Sequence, residues 1–261
     1  MLTAIRKNKW GESMDYLNLT EKYYSKWLGQ DDILLHCQEG VYDLYSSERD
    51  KIQKGYSRPF DLYLLIRENS FIISYGKKAA FGIKAFKQSL NSTMSADEVM
   101  ACIEQVYGMK PAHQIKYVYQ GDPVSSQYAE VLTAASAKSY LSFFKNCNPD
   151  CSDTSWVEDY FMDMICQHAC CGVFVDHQLV SCTDSPDVPY MASQVQEIGI
   201  NTLPAYRQQG YALDACRLCI KEIIHFGKCP LWSASSGNTA SRILAEKAGF
   251  VKYADCLALT L

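Results

Sequence analysis

The sequence of 261 residues predicts an α+β fold, with strands and helices mixed along the chain. Two hairpin patterns, at 61–74 and 172–182, carry strand-forming apolar residues on either side of a short polar turn. A clear helical pattern starts at Ser95 and stops at Gly108. Near the C-terminal end, a strand runs into a glycine-containing loop and then a helix, over 197–212.

Residues 1–123 are predicted to form a smaller N-terminal α+β domain of unknown role. The pattern Ser95-Ala96-Asp97-Glu98 is a capping box, in which the serine and glutamate side chains satisfy free N–H groups at a helix start. The stretch 120–123 is typical of a turn or linker and sets the domain boundary. The elements expected before it are a helix over 13–28, strands over 61–66 and 70–74, a helix from Ser95 to Gly108 and a strand over 115–119.

Residues 124–261 are predicted to form the second domain. The order of its elements is a strand over 130–133, helices over 135–146 and 154–168, strands over 172–175 and 179–182, a strand ending at Thr202, a helix from about Gly210, a strand at Trp232, a helix after Asn238 and two strands, near Val251 and over 257–259.

The composition is that of an ordinary soluble globular protein, with 48% hydrophobic and 21% charged residues. A net charge of -4 and a pI near 5.7 argue against a nucleic-acid partner, whereas a cationic acceptor such as an amine fits that sign. The sequence has no run of 18 apolar residues, and Met1 to Trp10 lacks the apolar stretch of a secretory signal. We therefore expect a cytoplasmic protein without a membrane segment.

Twelve cysteines invite a metal or redox interpretation. Cys216 and Cys219, however, share a helical stripe with Ile220 and Ile223, where a free thiol acts as a small hydrophobe. The cluster at 166–171 lacks the paired Cys-x-x-Cys units of structural zinc sites. The sequence therefore predicts no metal site.

The loop from Arg207 to Ala212 is predicted to bind phosphate. Successive backbone N–H groups in such a loop can point at phosphate oxygens, and the following helix adds its free donors and its positive dipole end. Gly210 lets a ligand approach the backbone closely, since a side chain there would fill the space that the phosphates need.

In its spacing, Arg207-x-x-Gly210-x-Ala212 resembles the acyl-CoA loop of the GNAT superfamily of N-acetyltransferases, Gln/Arg-x-x-Gly-x-Gly/Ala. Taken alone, this pattern also fits an ordinary loop-to-helix turn. A second pattern follows downstream, with a strand at Trp232, a helix cap at Asn238 and a helix that ends before Gly249. The stretch 195–261 therefore resembles the acyl-CoA-binding half of a GNAT domain. This resemblance implies a GNAT-type acyl-CoA N-acyltransferase fold with a central mixed sheet.

The resemblance implies an acetyl-CoA-dependent N-acetyltransferase that acts on a small-molecule or peptide amine. It places the pantetheine arm of acetyl-CoA along the bulged strand, with backbone contacts near Ile200 and Thr202. It places the pyrophosphate on the loop residues, listed with their neighbours as Arg207, Gln208, Gln209, Gly210, Tyr211 and Ala212. It also places Asn238 near the cofactor arm, although a plain helix cap is an equal and compatible interpretation.

Glu197 lies on the strand where many GNAT members carry the general base. A carboxylate with an ordinary pKa of about 4.3 is a poor base, but partial burial can raise its pKa to about 6 to 7. Alternatively, Glu197 is a surface glutamate or a partner of Arg207.

The sequence departs from the family pattern at Ala245. GNAT enzymes often carry a tyrosine at this position, four residues before the Gly249-Phe250 pair, where it protonates the leaving thiolate. Without it the general-acid step is in doubt, although a thiol of pKa about 8.5 is already a fair leaving group. Ser241, one helical turn earlier, could supply a hydroxyl or could simply be a small packing residue.

Two rival functions remain open. A non-catalytic acyl-CoA-binding sensor or regulatory module is favoured by Ala245 and disfavoured by Glu197. A dinucleotide-binding enzyme fits poorly, because both glycine-rich phosphate motifs of that class are absent. We further expect residues 1–123 to form a wall of the acceptor pocket, through Asp61, Tyr63, Glu68, Tyr117 and Tyr119.

Overall fold

A computed structural model describes residues 6–7, 13–37 and 39–261 of the chain. Most of the segment 1–10, from whose composition we expect no secretory signal, lies outside these residues. The strands are β1 (Arg6–Lys7), β2 (Ser13–Met14), β3 (Gly40–Tyr45), β4 (Leu62–Arg67), β5 (Ser70–Tyr75), β6 (Ala112–Tyr119), β7 (Ala129–Val131), β8 (Cys171–Val175), β9 (Gln178–Asp184), β10 (Val195–Glu197), β11 (Gly199–Thr202), β12 (Cys229–Ser235) and β13 (Phe250–Leu259). The helices are α1 (Tyr16–Leu28), α2 (Ile33–His36), α3 (Ile83–Ser89), α4 (Ala96–Tyr107), α5 (Ala137–Cys147), α6 (Val157–Gln167), α7 (Tyr211–His225) and α8 (Thr239–Lys247).

Two sheets organise the described residues, besides the short β1–β2 pair. The larger sheet has seven strands in the order β10-β12-β6-β13-β4-β5-β3, and the smaller has four in the order β11-β9-β8-β7. In the larger sheet, β10 and β12 are parallel, as are β3 and β5, whereas the other pairs are antiparallel. The predicted α+β class with a central mixed sheet is confirmed.

The seven-stranded sheet crosses the predicted domain boundary at residues 123 and 124. Strand β6 precedes that boundary, yet it lies between β12 and β13 and pairs with both. The stretch 120–123 returns beside the end of α8, where the Gln120 N–H donates to the Gly249 carbonyl at 3.0 Å. Strands from both predicted parts thus share one continuous hydrogen-bonded sheet.

The centre of the larger sheet is buried on both faces, which explains the unbroken apolar run of β4. Leu62, Leu64 and Ile66 pack with α3 and α4 on one face. Tyr63 and Leu65 belong to the core on the other face, together with α1. The hairpin of β4 and β5 was correctly predicted, as was the capping box of α4, in which Ser95 and Glu98 bond reciprocally.

The prediction of two separate final strands was wrong, because β13 is one strand of ten residues. Its register shifts between Lys252 and Ala254, which marks a β-bulge. The extra residue bends the strand without ending it, so β13 pairs with β6 along its length and with β4 over its second half. A sequence pattern interrupted by a bulge looks like two short strands.

Helix α7 connects the two sheets through its apolar stripe. Cys216, Cys219, Ile220 and Ile223 are buried within the main core, as predicted for thiols that act as small hydrophobes. Ala215, on the neighbouring face, packs into the core beneath the smaller sheet. Burial also raises the pKa of the Cys216 thiol, which keeps it neutral and unreactive.

Asp214 fixes the start of α7 to the edge of the smaller sheet. Its side chain is buried, and its carboxylate oxygens accept hydrogen bonds from the backbone N–H groups of Gln127, Tyr128 and Ala129, each at 2.8 Å. Three charge-assisted bonds to backbone donors form a strong and specific clamp. The segment that leads into β7 is thereby held against the helix.

We expect Asp214→Ala to lower the free energy of unfolding by about 2 to 3 kcal/mol, because three backbone N–H groups lose the charged acceptor that they share. Urea unfolding followed by tryptophan fluorescence measures this loss. Asp31→Ala is the matched control: its carboxylate is exposed and pairs with Lys26 at 3.0 Å, so its loss should cost less than about 1 kcal/mol. Equal losses in the two variants would contradict the clamp.

Candidate functional site

The two sheets separate at one point along a single stretch of chain. Strand β10 pairs in parallel with β12 as far as the Glu197–Leu231 pair, and the Ile198 N–H still donates to the Leu231 carbonyl at 3.1 Å. From Gly199 onward the chain becomes β11, which leaves β12 and pairs with β9 in the other sheet. Strands β11 and β12 therefore splay apart and leave a wedge between the sheets.

Gln196 stabilises the point of the wedge. Its fully buried side-chain amide donates to the Ala169 carbonyl at 2.8 Å and accepts from the Ala169 N–H at 3.1 Å. This two-way clasp ties β10 to the residues that lead into β8. The separation of the sheets is therefore a fixed feature of the fold.

Strand β11 presents one backbone edge to the wedge, because it is the terminal strand of its sheet. The Leu203 N–H donates to the Val180 carbonyl at 2.9 Å, which makes that pair a hydrogen-bonded one. By antiparallel alternation, Asn201 and Gly199 also bond towards β9, whereas the backbone groups of Ile200 and Thr202 point towards the wedge. An extended ligand can pair with that edge as an added strand.

The loop beyond β11 leads into an uncapped helix start. Arg207, Gln208, Gln209 and Gly210 are all exposed, and Arg207 donates from its Nε to the Thr202 carbonyl at 3.1 Å. Gln208 has φ 61° and Gly210 has φ 87°, so the backbone curls through the left-handed region twice. A side chain with positive φ costs free energy, and such strain concentrates at functional sites.

Helix α7 begins at Tyr211, as predicted, with Gly210 as its N-cap and without a side-chain cap. Its first-turn N–H groups therefore keep their capacity to bind an anion. A Cβ built on Gly210 would meet no atom within 4 Å, so the space in front of the loop is open. Tyr211 and Ala212 are half-buried at the helix start.

Glu197 is the last residue of β10 and lies at the origin of the wedge. Its Oε1 accepts a hydrogen bond from the Ser233 hydroxyl on the facing strand β12. The charge of Glu197 also contributes to raising the pKa values of three nearby tyrosines on the α1 side, Tyr23, Tyr24 and Tyr56, for which burial is the larger cause. The carboxylate is half-buried, at the point where the chain passes from one sheet to the other.

A second carboxylate, that of Asp184, lies beside the same point and was missed by the sequence analysis. Asp184 ends β9 and pairs with Gly199, and a Cβ on Gly199 would overlap Asp184 Oδ1. Burial, followed by the charge of Glu197, raises the pKa of Asp184 to about 6. Because its pKa in the unfolded chain is near 3.8, this carboxyl favours folding below about pH 4 and loses that contribution as the pH rises through about 6.

Asp184 opens onto a cavity of about 370 Å³ between the smaller sheet and helices α5 and α6. The cavity is lined by Tyr140, Phe143, Phe144, Cys147, Asn148, Trp156, Tyr160, Cys182, Asp184 and Asn201. All these residues follow residue 123, so the part of 1–123 that the structure describes contributes no wall to this cavity. The side chains predicted to form that wall lie elsewhere: Tyr63, Tyr117 and Tyr119 are buried in the main core, and the Asp61 carboxylate accepts from the Leu261 N–H.

The predicted residues on α8 have structural partners. Asn238 caps the helix, since its Oδ1 accepts from the Ser241 N–H at 3.1 Å. The Ser241 hydroxyl accepts from the Trp232 indole N–H at 3.2 Å. Ala245 is completely buried in the main core, so a tyrosine at this position would require the core to rearrange.

The structure thus brings Glu197, Ile200, Thr202 and the 207–212 loop together along one wedge. Asn238 and Ser241 come after β12 in the chain. They bond to each other at the start of α8, and Ser241 also bonds to Trp232 on β12. Among residues 6–7, 13–37 and 39–261, no group of three or more His, Cys, Asp or Glu side chains could hold a metal ion. Within the same residues, no helix has the length and apolarity needed to cross a membrane.

A family model described as GNAT acetyltransferase matches residues 95–255. No curated protein matches the chain by sequence. The match begins at Ser95, the N-cap of α4, and therefore includes β6, the strand that lies between β12 and β13.

Solved structures similar to this chain share little of its sequence. A GNAT-family protein from Novosphingobium aromaticivorans is 17% identical with a TM-score of 0.44, and the match covers 57% of this chain and 65% of that one. An acetyltransferase from Colwellia psychrerythraea is 14% identical with a TM-score of 0.47, covering 57% and 56%. The ribosomal-protein-S5-alanine acetyltransferase from Vibrio fischeri is 10% identical with a TM-score of 0.41, covering 52% and 94%. This chain spans less than two thirds of the length of the first two.

Proposed function

The chain belongs to the GNAT acetyltransferase family, and from this premise we propose that it transfers an acetyl group from acetyl-CoA to a primary amine. The single observation that carries the proposal is the wedge between β11 and β12. An open backbone edge leads there from a half-buried carboxylate, Glu197, to an uncapped helix start at Gly210. These are the parts that binding and deacylation of a long phosphorylated thioester require.

The residues fit acetyl-CoA in two places. The backbone groups of Ile200 and Thr202 would pair with the amides of the pantetheine arm, as an added strand would. The N–H groups of the 208–212 loop and the first turn of α7 would bind the pyrophosphate, because helix N-termini favour anions. Arg207 and Gln209 flank this loop and would add donors, and Asn238 is a candidate for the cofactor arm beyond its role as a cap.

The bound acetyl-CoA supplies an activated acyl carbon. The acceptor enters as an ammonium ion and must lose one proton before its nitrogen can react. The nitrogen lone pair then forms a bond to the acyl carbon, the carbon–sulfur bond breaks, and the nitrogen loses its second proton. The balanced products are the amide, CoA thiol and one proton released to water.

Glu197 is the proposed base for the acceptor proton. It lies at the origin of the wedge, where the acyl carbon of a ligand paired with β11 would be found, and Ser233 orients its carboxylate from the opposite strand. A base must reach its proton directly or through one water molecule, and a half-buried carboxylate at this point satisfies that condition.

The leaving thiolate needs little help, because the anion of a thiol of pKa about 8.5 is a weak base and therefore a fair leaving group. Ser241 is the candidate proton donor, a role in which its hydroxyl would donate outward while accepting from Trp232. The net charge of -4 supports a role without nucleic acid. A cytoplasmic location is also part of the proposal.

Calorimetric titration of acetyl-CoA, followed by measurement of free thiol release with a panel of primary amines, tests the function. We expect binding in the micromolar range and amine-dependent thiol release above the rate of thioester hydrolysis. Binding without release for any amine would instead favour a non-catalytic acyl-CoA sensor. Absence of binding would contradict both.

A further inference from the structure

We infer that the cavity above Asp184 is the acceptor site and that it selects a primary amine carried on an aromatic body, with Asp184 as the partner of its ammonium group. This inference rests on the proposed function and specifies its substrate class. The cavity, of about 370 Å³, lies within the usual range for small-molecule sites.

The walls of the cavity are aromatic. Phe144 from α5 and Trp156 from the start of α6 meet edge to face, with ring centroids 5.3 Å apart, and Trp156 meets Tyr160 in the same manner at 5.8 Å. Such arrangements prefer another ring or a cation against their exposed faces. Trp156 and Tyr160 are 44% and 38% exposed, so large apolar surface remains open at the mouth.

The charge of the cavity favours a cation. Asp184 is the only ionisable carboxyl group in its lining, which includes no lysine, arginine or histidine; all lining residues lie within 140–201, which the structure describes throughout. Tyr140 and Tyr160 are neutral phenols, because burial and then the Asp184 charge raise their pKa values, that of Tyr160 to about 12. An ammonium ion would therefore find one anionic partner within an aromatic enclosure.

The position of Asp184 connects this cavity with the wedge. Its carboxylate lies over Gly199, the first residue of the open-edged strand β11, and its pKa is affected by Glu197 at the origin of the wedge. An amine held by Asp184 is therefore beside the place where the thioester would lie. Gly199 is required for this arrangement, since any side chain there would overlap the carboxylate.

The size and composition of the cavity argue against two other acceptor classes. A polyamine such as spermidine carries several charges but has no apolar body for the aromatic walls, and a single carboxylate cannot pair with all its ammonium groups. A peptide would place only its first residue inside the cavity. An arylalkylamine, with one ammonium group and one ring, matches both the charge and the walls.

The test uses the full chain with saturating acetyl-CoA and compares 2-phenylethylamine, n-butylamine, spermidine and an alanine-initiated peptide by thiol release. We expect 2-phenylethylamine to give the highest kcat/KM. Asp184→Asn should raise KM about 30-fold for both monoamines, with a smaller effect on kcat, because an amide cannot neutralise the ammonium. Asp31→Asn, at an exposed aspartate that pairs with Lys26, is the control and should change KM less than about twofold.

A second variant tests the aromatic walls of the cavity separately from the charge of Asp184. Trp156→Ala should raise KM about tenfold for 2-phenylethylamine and much less for n-butylamine, since it removes ring contacts but no charge. Asp184→Asn is expected to fold, because it removes a charge that burial disfavours at neutral pH, and its melting temperature should equal or exceed that of the wild type. A preference for spermidine or the peptide, or an unchanged KM in Asp184→Asn, would overturn the inference.

Calorimetry with 2-phenylethylamine alone keeps the two proposals distinguishable. If no amine is acetylated, the proposed function fails. Binding of 2-phenylethylamine that Asp184→Asn weakens about 30-fold would still support the site, whereas absence of binding to the wild-type protein would overturn it.

Discussion

Gly210→Glu is expected to abolish detectable binding of acetyl-CoA and leave the fold intact. The substitution would place a carboxylate in the open space in front of the loop, directly at the N–H groups proposed to hold the pyrophosphate. Repulsion between two anions at one site, together with the blocked approach, should weaken affinity by at least about 100-fold, or about 2.7 kcal/mol. Calorimetric titration of acetyl-CoA measures the change.

Gly227→Glu is a closely matched control. Gly227 has φ 74°, and a Cβ there would likewise meet nothing within 4 Å, but it lies beyond the opposite end of the same helix, α7. Both variants carry the cost of placing a side chain in the left-handed region, so their melting temperatures should fall similarly. Undiminished affinity in Gly210→Glu, or an equal loss of affinity in Gly227→Glu, would contradict phosphate binding at this loop.

Glu197→Gln should lower kcat by about 100-fold or more, with little change in acetyl-CoA affinity. The amide has nearly the same size as the carboxylate and keeps an oxygen that accepts from Ser233, but it cannot take a proton. Thiol release measured between pH 5 and 9 should stay low at every pH, because no carboxylate is present to take the proton.

Ser233→Ala tests the hydrogen bond to Glu197 without removing the carboxylate. This change removes the hydrogen bond that orients the Glu197 carboxylate, while the carboxylate itself remains able to take a proton. The loss in kcat at high pH should be only a few-fold. If Glu197→Gln kept wild-type turnover at every pH, the carboxylate would have a structural role only.

The local parts of the site could be predicted from the sequence, and the parts brought together by the fold could not. The loop from Arg207 to Ala212 and the start of α7 occupy one short stretch, so their geometry follows from residue types and spacing. Asp184 became visible only through the register of β9 against β11, which places it over Gly199. No spacing rule along the chain carries that information.

The domain organisation shows the same limit. The stretch 120–123 has the composition of a linker, and the sequence therefore suggested a boundary there. Turn residues are also found between strands of one sheet, however. Here the stretch follows β6, which lies between β12 and β13 in the larger sheet. The apolar run of β4 indicated a strand buried on both faces, but its partner, β13, could not be identified from the pattern.

Because β4 pairs with β13, the seven-stranded sheet can be completed only after β13 has been synthesised. The Leu261 N–H bonds to the Asp61 carboxylate across 200 residues of chain. Closing so long a loop is slow, because entropy opposes contacts of high sequence separation. Until β13 emerges from the ribosome, the hairpin of β4 and β5 has one unpaired edge and an apolar face, the features by which strands associate with other chains. The nascent chain, rather than the folded protein, is therefore the form most exposed to aggregation and most dependent on chaperones.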